Sequence, residues 1–307
     1  MKPLVSVIIP NYNYARYLEQ RIDSVLNQTY TNIEVIILDD CSKDNSIDAI
    51  SRYKDNPLVS NIVVNKQNSG CVFKQWEKGI ALAKGELIWI AEADDYCELN
   101  FLEQVIDEWQ KHEDVVMAFC NYVQFDDDAG YRNVPKERKN RCFDGKKFVR
   151  RRQARFNVPV NASGVVFSKK AYEQMPHDYM DFRSAGDYMF WTAMMTQGKV
   201  VRVRKNLTYY RLHTGSVTSN NVSKGITCLE DLRVYRFIEE NVGLSCYERY
   251  MAAIAHYDKY TPIGFDTEEI RNEVLGKWGI KGKKKRWYDK MMAWLPIRVE
   301  NYMGLLI

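Results

Sequence analysis

As far as Cys120, short β-branched runs alternate with stretches of helical apolar spacing, and few folds accept that pattern. Residues 5–9, 33–38, 59–64, 87–91 and 115–119 read as strands: short, apolar and bounded by turn residues. Between them, 14–27 carries Leu18, Ile22, Val25 and Leu26 at the spacing of one helix face. Asp44 is placed to cap a helix with Ile47, Ala49 and Ile50, and 72–83 and 99–109 give two more. Repeated β-α units predict an α/β fold with a mostly parallel central sheet and helices on both faces.

The pattern changes after Cys120. Residues 124–155 are polar and basic, with Asp126-Asp127-Asp128 and Arg150-Arg151-Arg152, and read as loops and short irregular elements. A strand is expected at 160–167, a helix at 187–196, and two further strands at 200–203 and 207–210. From Lys224 the spacing is helical and amphipathic, so 223–307 reads as a helical C-terminal region beside a domain of 1–222.

Composition narrows the class further. In 307 residues, 46% hydrophobic and 13% aromatic content is ample for a packed core, and a net charge of +4 gives no nucleic-acid footprint. Seven cysteines without a C-x-x-C pair read as free thiols in a reducing cytosol. The first apolar run stops at Pro10, too short for a signal segment, and no apolar run approaches the roughly 18 residues of a membrane span. The expected location is therefore cytoplasmic.

The chemistry gathers at strand ends. Ile88-Trp89-Ile90-Ala91 runs into Glu92-Ala93-Asp94-Asp95, and in open α/β sheets ligands bind outside the carboxyl ends of strands. Carboxylates there can hold a hard divalent cation shared with substrate phosphates. The first strand ends in Pro10-Asn11-Tyr12-Asn13 and the second in Asp39-Asp40-Cys41-Ser42, so three polar strand ends line one edge. Neither G-x-G-x-x-G nor a P-loop is present. A nucleotide held by an aromatic, a base-reading carboxylate and a metal fits these residues better.

From Pro3 to Thr218 the chain resembles the glycosyltransferase family 2 enzymes of GT-A fold. The resemblance rests on Val5-Ser6-Val7-Ile8-Ile9-Pro10-Asn11-Tyr12-Asn13, Ser24-Val25-Leu26-Asn27-Gln28-Thr29-Tyr30 and Ile37-Leu38-Asp39-Asp40-Cys41-Ser42-Lys43-Asp44. It continues through Asn68-Ser69-Gly70, Ala83-Lys84-Gly85-Glu86, Asp94-Asp95, Gly186-Asp187 and Tyr210-Arg211-Leu212-His213. The resemblance implies a nucleotide-binding half over 1–97, an acceptor-binding half over 98–222, and an inverting transfer from a nucleotide sugar. Pro10, Asn11 and Tyr12 would then lie near base and ribose, Asp39 would read the base, typically uracil, and Asp94 would face the ribose or the metal's water shell. Asp95 would ligate Mn²⁺ or Mg²⁺, His213 could add a metal contact, and Arg211 could contact a phosphate.

Asp187 would be the general base, although its position also suits a helix N-cap. Three departures from the family pattern stand out: Glu92 where Asp is common, Lys74-Gln75-Trp76 in place of Ala-Arg-Asn, and Gly186 where Glu often precedes the base.

The expected partners are a nucleotide-sugar donor and a glycan or lipid-linked acceptor, in surface polysaccharide synthesis. Lys281, Lys283, Lys284, Lys285 and Arg286 with Trp287 and Trp294 suit a helix lying on an anionic membrane surface through 281–295, on the inner face of the cell membrane. The same tail could equally pack on the catalytic domain. Two rival readings stay open at this point: a sugar-nucleotide pyrophosphorylase, and a non-catalytic nucleotide- or glycan-binding module.

Overall fold

The computed structural model describes residues 2–212 and 221–278. They form two compact units, one of 2–149 with 157–212 and one of 150–156 with 221–278.

The larger unit is built on a ten-stranded sheet. β1 (Val5–Asn11), β2 (Ile33–Asp39), β3 (Val59–Val64) and β4 (Leu87–Ile90) are parallel in the order β3-β2-β1-β4. Every residue of β1, β2 and β4 is buried. A strand covered on both faces has no solvent side, which is why these segments read as unbroken apolar runs. The chain leaves β1 towards β2 on one side while β4 lies on the other. The crevice outside these strands is therefore a topological switch point.

Beyond β4 the sheet is mixed. β5 is Tyr96–Cys97, β6 Val115–Asp126, β7 Gly130–Asn133, β8 Arg141–Asp144, β9 Val165–Ser168 and β10 Lys199–Arg211. β9 lies antiparallel between β4 and β6, and β10 runs parallel to β6 but antiparallel to β5 and β8. The two strands expected at 200–203 and 207–210 are this single β10. Register shifts between Val203 and Thr208 carry it past the polar Arg204-Lys205-Asn206.

The stretch expected as loops, 124–155, instead completes β6, forms β7 and β8, and continues into a short helix, α5 (Gly145–Phe148), and a π-turn at Val149–Gln153. Both β7 and β8 lie off the main strand order and are largely solvated, so their sequences carry charge instead of an apolar run.

On one face α1 (Ala15–Leu26) and α4 (Phe101–Trp109) pack Leu18, Ile22, Val25, Phe101 and Val105 into the core beside Val7, Ile9, Val35 and Trp89. Asp44 contributes there as well as before α2 (Ser46–Ser51): its Oδ2 accepts from the Ala15 amide at the start of α1 at 2.9 Å, its Oδ1 from the Ser46 amide at 3.0 Å. The other face carries α3 (Val72–Leu82), α6 (Lys169–Gln174) and α7 (Gly186–Met195), held by edge-on contacts among Phe73, Trp76, Phe167, Phe190 and Trp191. Glu77 of α3 accepts hydrogen bonds from the Tyr172 and Tyr179 hydroxyls and so fastens the segment leading into α7.

The smaller unit contains α8 (Ile226–Asn241), α9 (Cys246–Tyr260) and α10 (Glu268–Lys277). Ser245 and Glu248 form a reciprocal capping box at the start of α9. His256 is fully buried, stacked on Trp278 at 4.2 Å, and its Nε2 donates to the Ala154 carbonyl at 3.2 Å. Nδ1 has no partner, so a proton there would be buried and unsatisfied. Burial pushes the imidazole down to about 4.

Above pH 6.5 the ring is neutral folded or unfolded, and the site is not penalised. Below that the unfolded chain takes the proton first, so stability falls from pH 6.5 to about 4, by about 3 kcal/mol in all. Denaturant melts of wild type and His256→Gln across that range should show the wild-type slope and a flatter variant. Parallel slopes would remove His256 as the cause.

His213 and the basic stretch 281–295 lie outside the described residues. Among the described residues no helix is long and apolar enough to cross a membrane.

Candidate active site

Asn11 and Asp39 are register partners at the carboxyl ends of β1 and β2. Asp39 is 1% exposed, and its Oδ2 accepts from Asn11 Nδ2 at 2.7 Å and from Ser42 Oγ at 2.6 Å. Its Oδ1 accepts from the Ser42 amide at 2.9 Å. The turn that makes this possible bends through Cys41 at φ 65°, and Ser42 Oγ in turn accepts from the Asn13 amide at 2.9 Å. The β1 and β2 loops are thus bonded into one wall. Pro10 is buried within it, while Tyr12 stands 40% exposed at its rim.

Asp40, whose neighbour was the expected ligand, proves to be a hub. Its two oxygens accept from Asn65 Nδ2, Asn68 Nδ2, the Ser69 amide and hydroxyl, and Gln75 Nε2, all at 2.6–3.1 Å. This carboxylate clamps the loop 65–71 and the first turns of α3 against the wall formed by the β1 and β2 loops. Gln75, in the departure from Ala-Arg-Asn, belongs to that clamp.

The acidic turn after β4 is braced from behind. Arg21 of α1 is fully buried; its Nε donates to the Glu92 carbonyl at 2.8 Å and its Nη2 to Ser163 Oγ at 3.0 Å. Ser163 Oγ also accepts from the Glu92 amide at 3.1 Å and donates to Asp95 Oδ2 at 2.7 Å. Asp95 Oδ1 accepts from the Arg211 amide at 3.1 Å, while Arg21 approaches Asp95 only to 4.0 Å.

Burial and the neighbouring Asp94 push Asp95 well above the usual carboxylate range, against Arg21 and the Ser163 bond. Half-buried Glu92 is pushed up to about 8, by burial and then by Asp94 and Asp95, although Trp76 Nε1 donates to it at 3.0 Å. Three carboxyl groups, Glu92, Asp94 and Asp95, crowd this turn.

Arg211 was expected at a phosphate. It is 5% exposed, lies between the rings of Tyr17 (4.3 Å) and Phe125 (4.4 Å), and spends its guanidinium on the Asp94 carbonyl, Gln20 and Asp127. Geometrically it is a brace for the Asp94–Asp95 turn. Asp187 is not the cap of α7, a place taken by Ala185. It sits one residue into the helix, half-buried, with Oδ1 accepting from the Tyr188 amide at 2.7 Å and Oδ2 from Asn157 Nδ2 at 2.9 Å.

Tyr210 of β10 ties these groups together. Burial pushes its phenol up to about 12, helped by the fields of Asp95, Asp94, Tyr122 and Asp187. The acidic turn and Asp187 thus both lie within electrostatic reach of one side chain.

Sequence reasoning missed Arg21 and Asn157, and took Ser163-Gly164 only as lining of the donor pocket, not as a brace of the acidic turn. Arg21 did leave a signal: it lies three residues after Leu18 and four before Val25, a charge set inside the apolar stripe of its helix. Asn157 sits in irregular chain and left none, and Ser163 lies on a 3-10 turn, Ala162–Gly164, within the stretch 160–167 expected as a strand.

A parallel half ending on an acidic turn, joined to a mixed half carrying a helix-borne carboxylate, is the GT-A architecture. The structure of Staphylococcus aureus TarS residues 1–349 in complex with UDP-GlcNAc superposes with a TM-score of 0.70 over 89% of this chain and 80% of that one, at 18% identity. Residues 6–175 match the profile of Glycosyl transferase family 2, and the chain belongs to that family. It is 30% identical over 247 residues to an uncharacterized glycosyltransferase of Nostoc sp. (strain PCC 7120), covering 75% of this chain and 74% of the relative. It is 28% identical over 229 residues to the Escherichia coli UDP-Glc:alpha-D-GlcNAc-diphosphoundecaprenol beta-1,3-glucosyltransferase WfaP, covering 71% and 80%. The protein is a glycosyltransferase, which sets the pyrophosphorylase and binding-module readings aside.

Proposed function

We propose that this enzyme moves a sugar from a UDP-linked donor to a hydroxyl of a glycan or lipid-linked acceptor, inverting the anomeric carbon, in surface polysaccharide synthesis. The observation that carries the reading is the acidic turn at the carboxyl end of the parallel strands, where Ser163 and the Arg211 amide hold Asp95 and Arg21 holds the Glu92 carbonyl. The donor named for the E. coli relative and the nucleotide sugar in the TarS complex support the choice of UDP, and that relative's acceptor supports a diphospholipid-linked one.

Asp39 has about four lone-pair sites, three of them taken by Asn11 and Ser42. The remaining one suits an N–H of a nucleobase. Tyr12 offers its exposed ring beside it, with Pro10 and Asn11 forming the wall behind. Asp94 faces ribose or bound water, and Arg211 keeps that turn in place.

The donor set at Asp95 and Asp94 suits Mn²⁺ or Mg²⁺ shared with a diphosphate: hard carboxylate oxygens on adjacent residues of one turn. When bound there, the cation supplies Lewis-acid neutralisation of the departing diphosphate. Asp187 takes the proton of the acceptor hydroxyl as its oxygen bonds to C1 and the bond from C1 to the diphosphate oxygen breaks on the opposite face.

The first test is a thermal-shift panel of UDP, GDP, CMP and dTDP with and without Mn²⁺. UDP with Mn²⁺ at a hundredfold excess over Kd should raise Tm by roughly 5 °C. Asp95→Ala should lose the metal-dependent part. A larger shift with GDP would reassign the donor, and a flat panel would remove the nucleotide site as drawn.

A further inference from the structure

A carboxylate on the first turn of a helix can rotate about both of its side-chain torsions. At Asp187 the Tyr188 amide fixes one oxygen, but that bond comes from the adjacent residue and leaves the plane of the carboxylate adjustable. The second bond is of a different kind. Asn157 reaches Oδ2 from outside the helix, thirty positions earlier in the chain, at 2.9 Å. Its orientation is settled by chemistry, because an ionised carboxylate only accepts and the atom facing it must be the amide nitrogen.

We propose that Asn157 is the positioning residue of the catalytic base, setting the plane of the Asp187 carboxylate so that a remaining lone pair meets the acceptor hydroxyl. The assignment rests on the reading of Asp187 as that base. The residue type matters. A Lys or Arg at this place would stabilise the carboxylate anion and weaken it as a base. A second carboxylate would repel it. A neutral amide aligns the group without placing a full charge beside it.

Tyr210 on β10 lies within electrostatic reach of Asp187 and of the Asp94–Asp95 turn. Misplacing a reacting group by about 1 Å can cost on the order of a hundredfold in rate.

The experiment measures kcat, donor KM and the pH dependence of kcat for wild type, Asn157→Ala, Asn157→Asp and Asp187→Asn, with the UDP and Mn²⁺ thermal shift as a control for the donor site. Asn157→Ala should lower kcat by roughly 10- to 100-fold while donor KM stays within about twofold. Asn157→Asp, nearly isosteric, sets a like charge beside the base, and the acid limb of the kcat profile should move up by about one pH unit. That shift is a result a merely structural role would not give, and it serves if the alanine variant folds poorly. If both variants keep wild-type kcat and the same acid limb while Asp187→Asn is inactive, the positioning role is wrong and the base stands. An active Asp187→Asn removes the base itself.

Discussion

Asp187→Asn is expected to lower turnover by about 10²- to 10⁴-fold with donor binding unchanged. The substitution is nearly isosteric and keeps an oxygen for the Tyr188 amide, so α7 has no reason to move. What it removes is the acceptor for the hydroxyl proton. Proton transfer then falls to water, and a buried amide holds no charge to draw it. The measurement is UDP release at saturating donor and acceptor, paired with the UDP and Mn²⁺ thermal shift. Turnover within about fivefold of wild type would place the base elsewhere on the rim.

Gly186→Ala should be nearly as damaging, for a steric reason. An added Cβ would stand 2.3 Å from Phe73 Cε2 and 2.5 Å from Cζ. The ring cannot easily withdraw: it is 5% exposed and meets Trp76 at 5.2 Å and Tyr179 at 5.8 Å. The strain must pass into the start of α7, and the next residue is Asp187. We expect a loss of about 1–3 kcal/mol in stability and up to roughly a hundredfold in kcat.

Phe73→Leu in the same chain frees space, so the double variant should recover activity relative to Gly186→Ala alone. Neighbours that share a contact are not additive in this way. Strict additivity would mean that the ring and the helix start are not in conflict. The same contact accounts for a glycine at 186, since Phe73 fills the space a side chain would need.

What could be read from the sequence follows from burial. β1, β2 and β4 are covered on both faces, and their apolar runs made the parallel half legible together with the acids at its strand ends. Edge strands β7 and β8 carry solvent-side charges, so their segments looked like loops. The expectations at Asp39, Asp94, Asp95 and Asp187 came from family motifs. Their supports were not legible in this way.

Arg211 looked like a phosphate ligand because its sequence neighbours said nothing of Tyr17 and Phe125, which lie on other elements. Asp40 looked like a turn residue, yet it gathers partners as far along the chain as Gln75. Long-range hydrogen bonds of this kind leave no periodicity to detect.

α3 joins two of these supports. Gln75 is part of the Asp40 clamp on the loop at 65–71, and Phe73, two residues earlier, sets the start of α7. A helix advances about 1.5 Å per residue and resists stretching. The two supports therefore stand about 3 Å apart along one stiff helix, and a shift of α3 would move the loop at 65–71 and the start of α7 together.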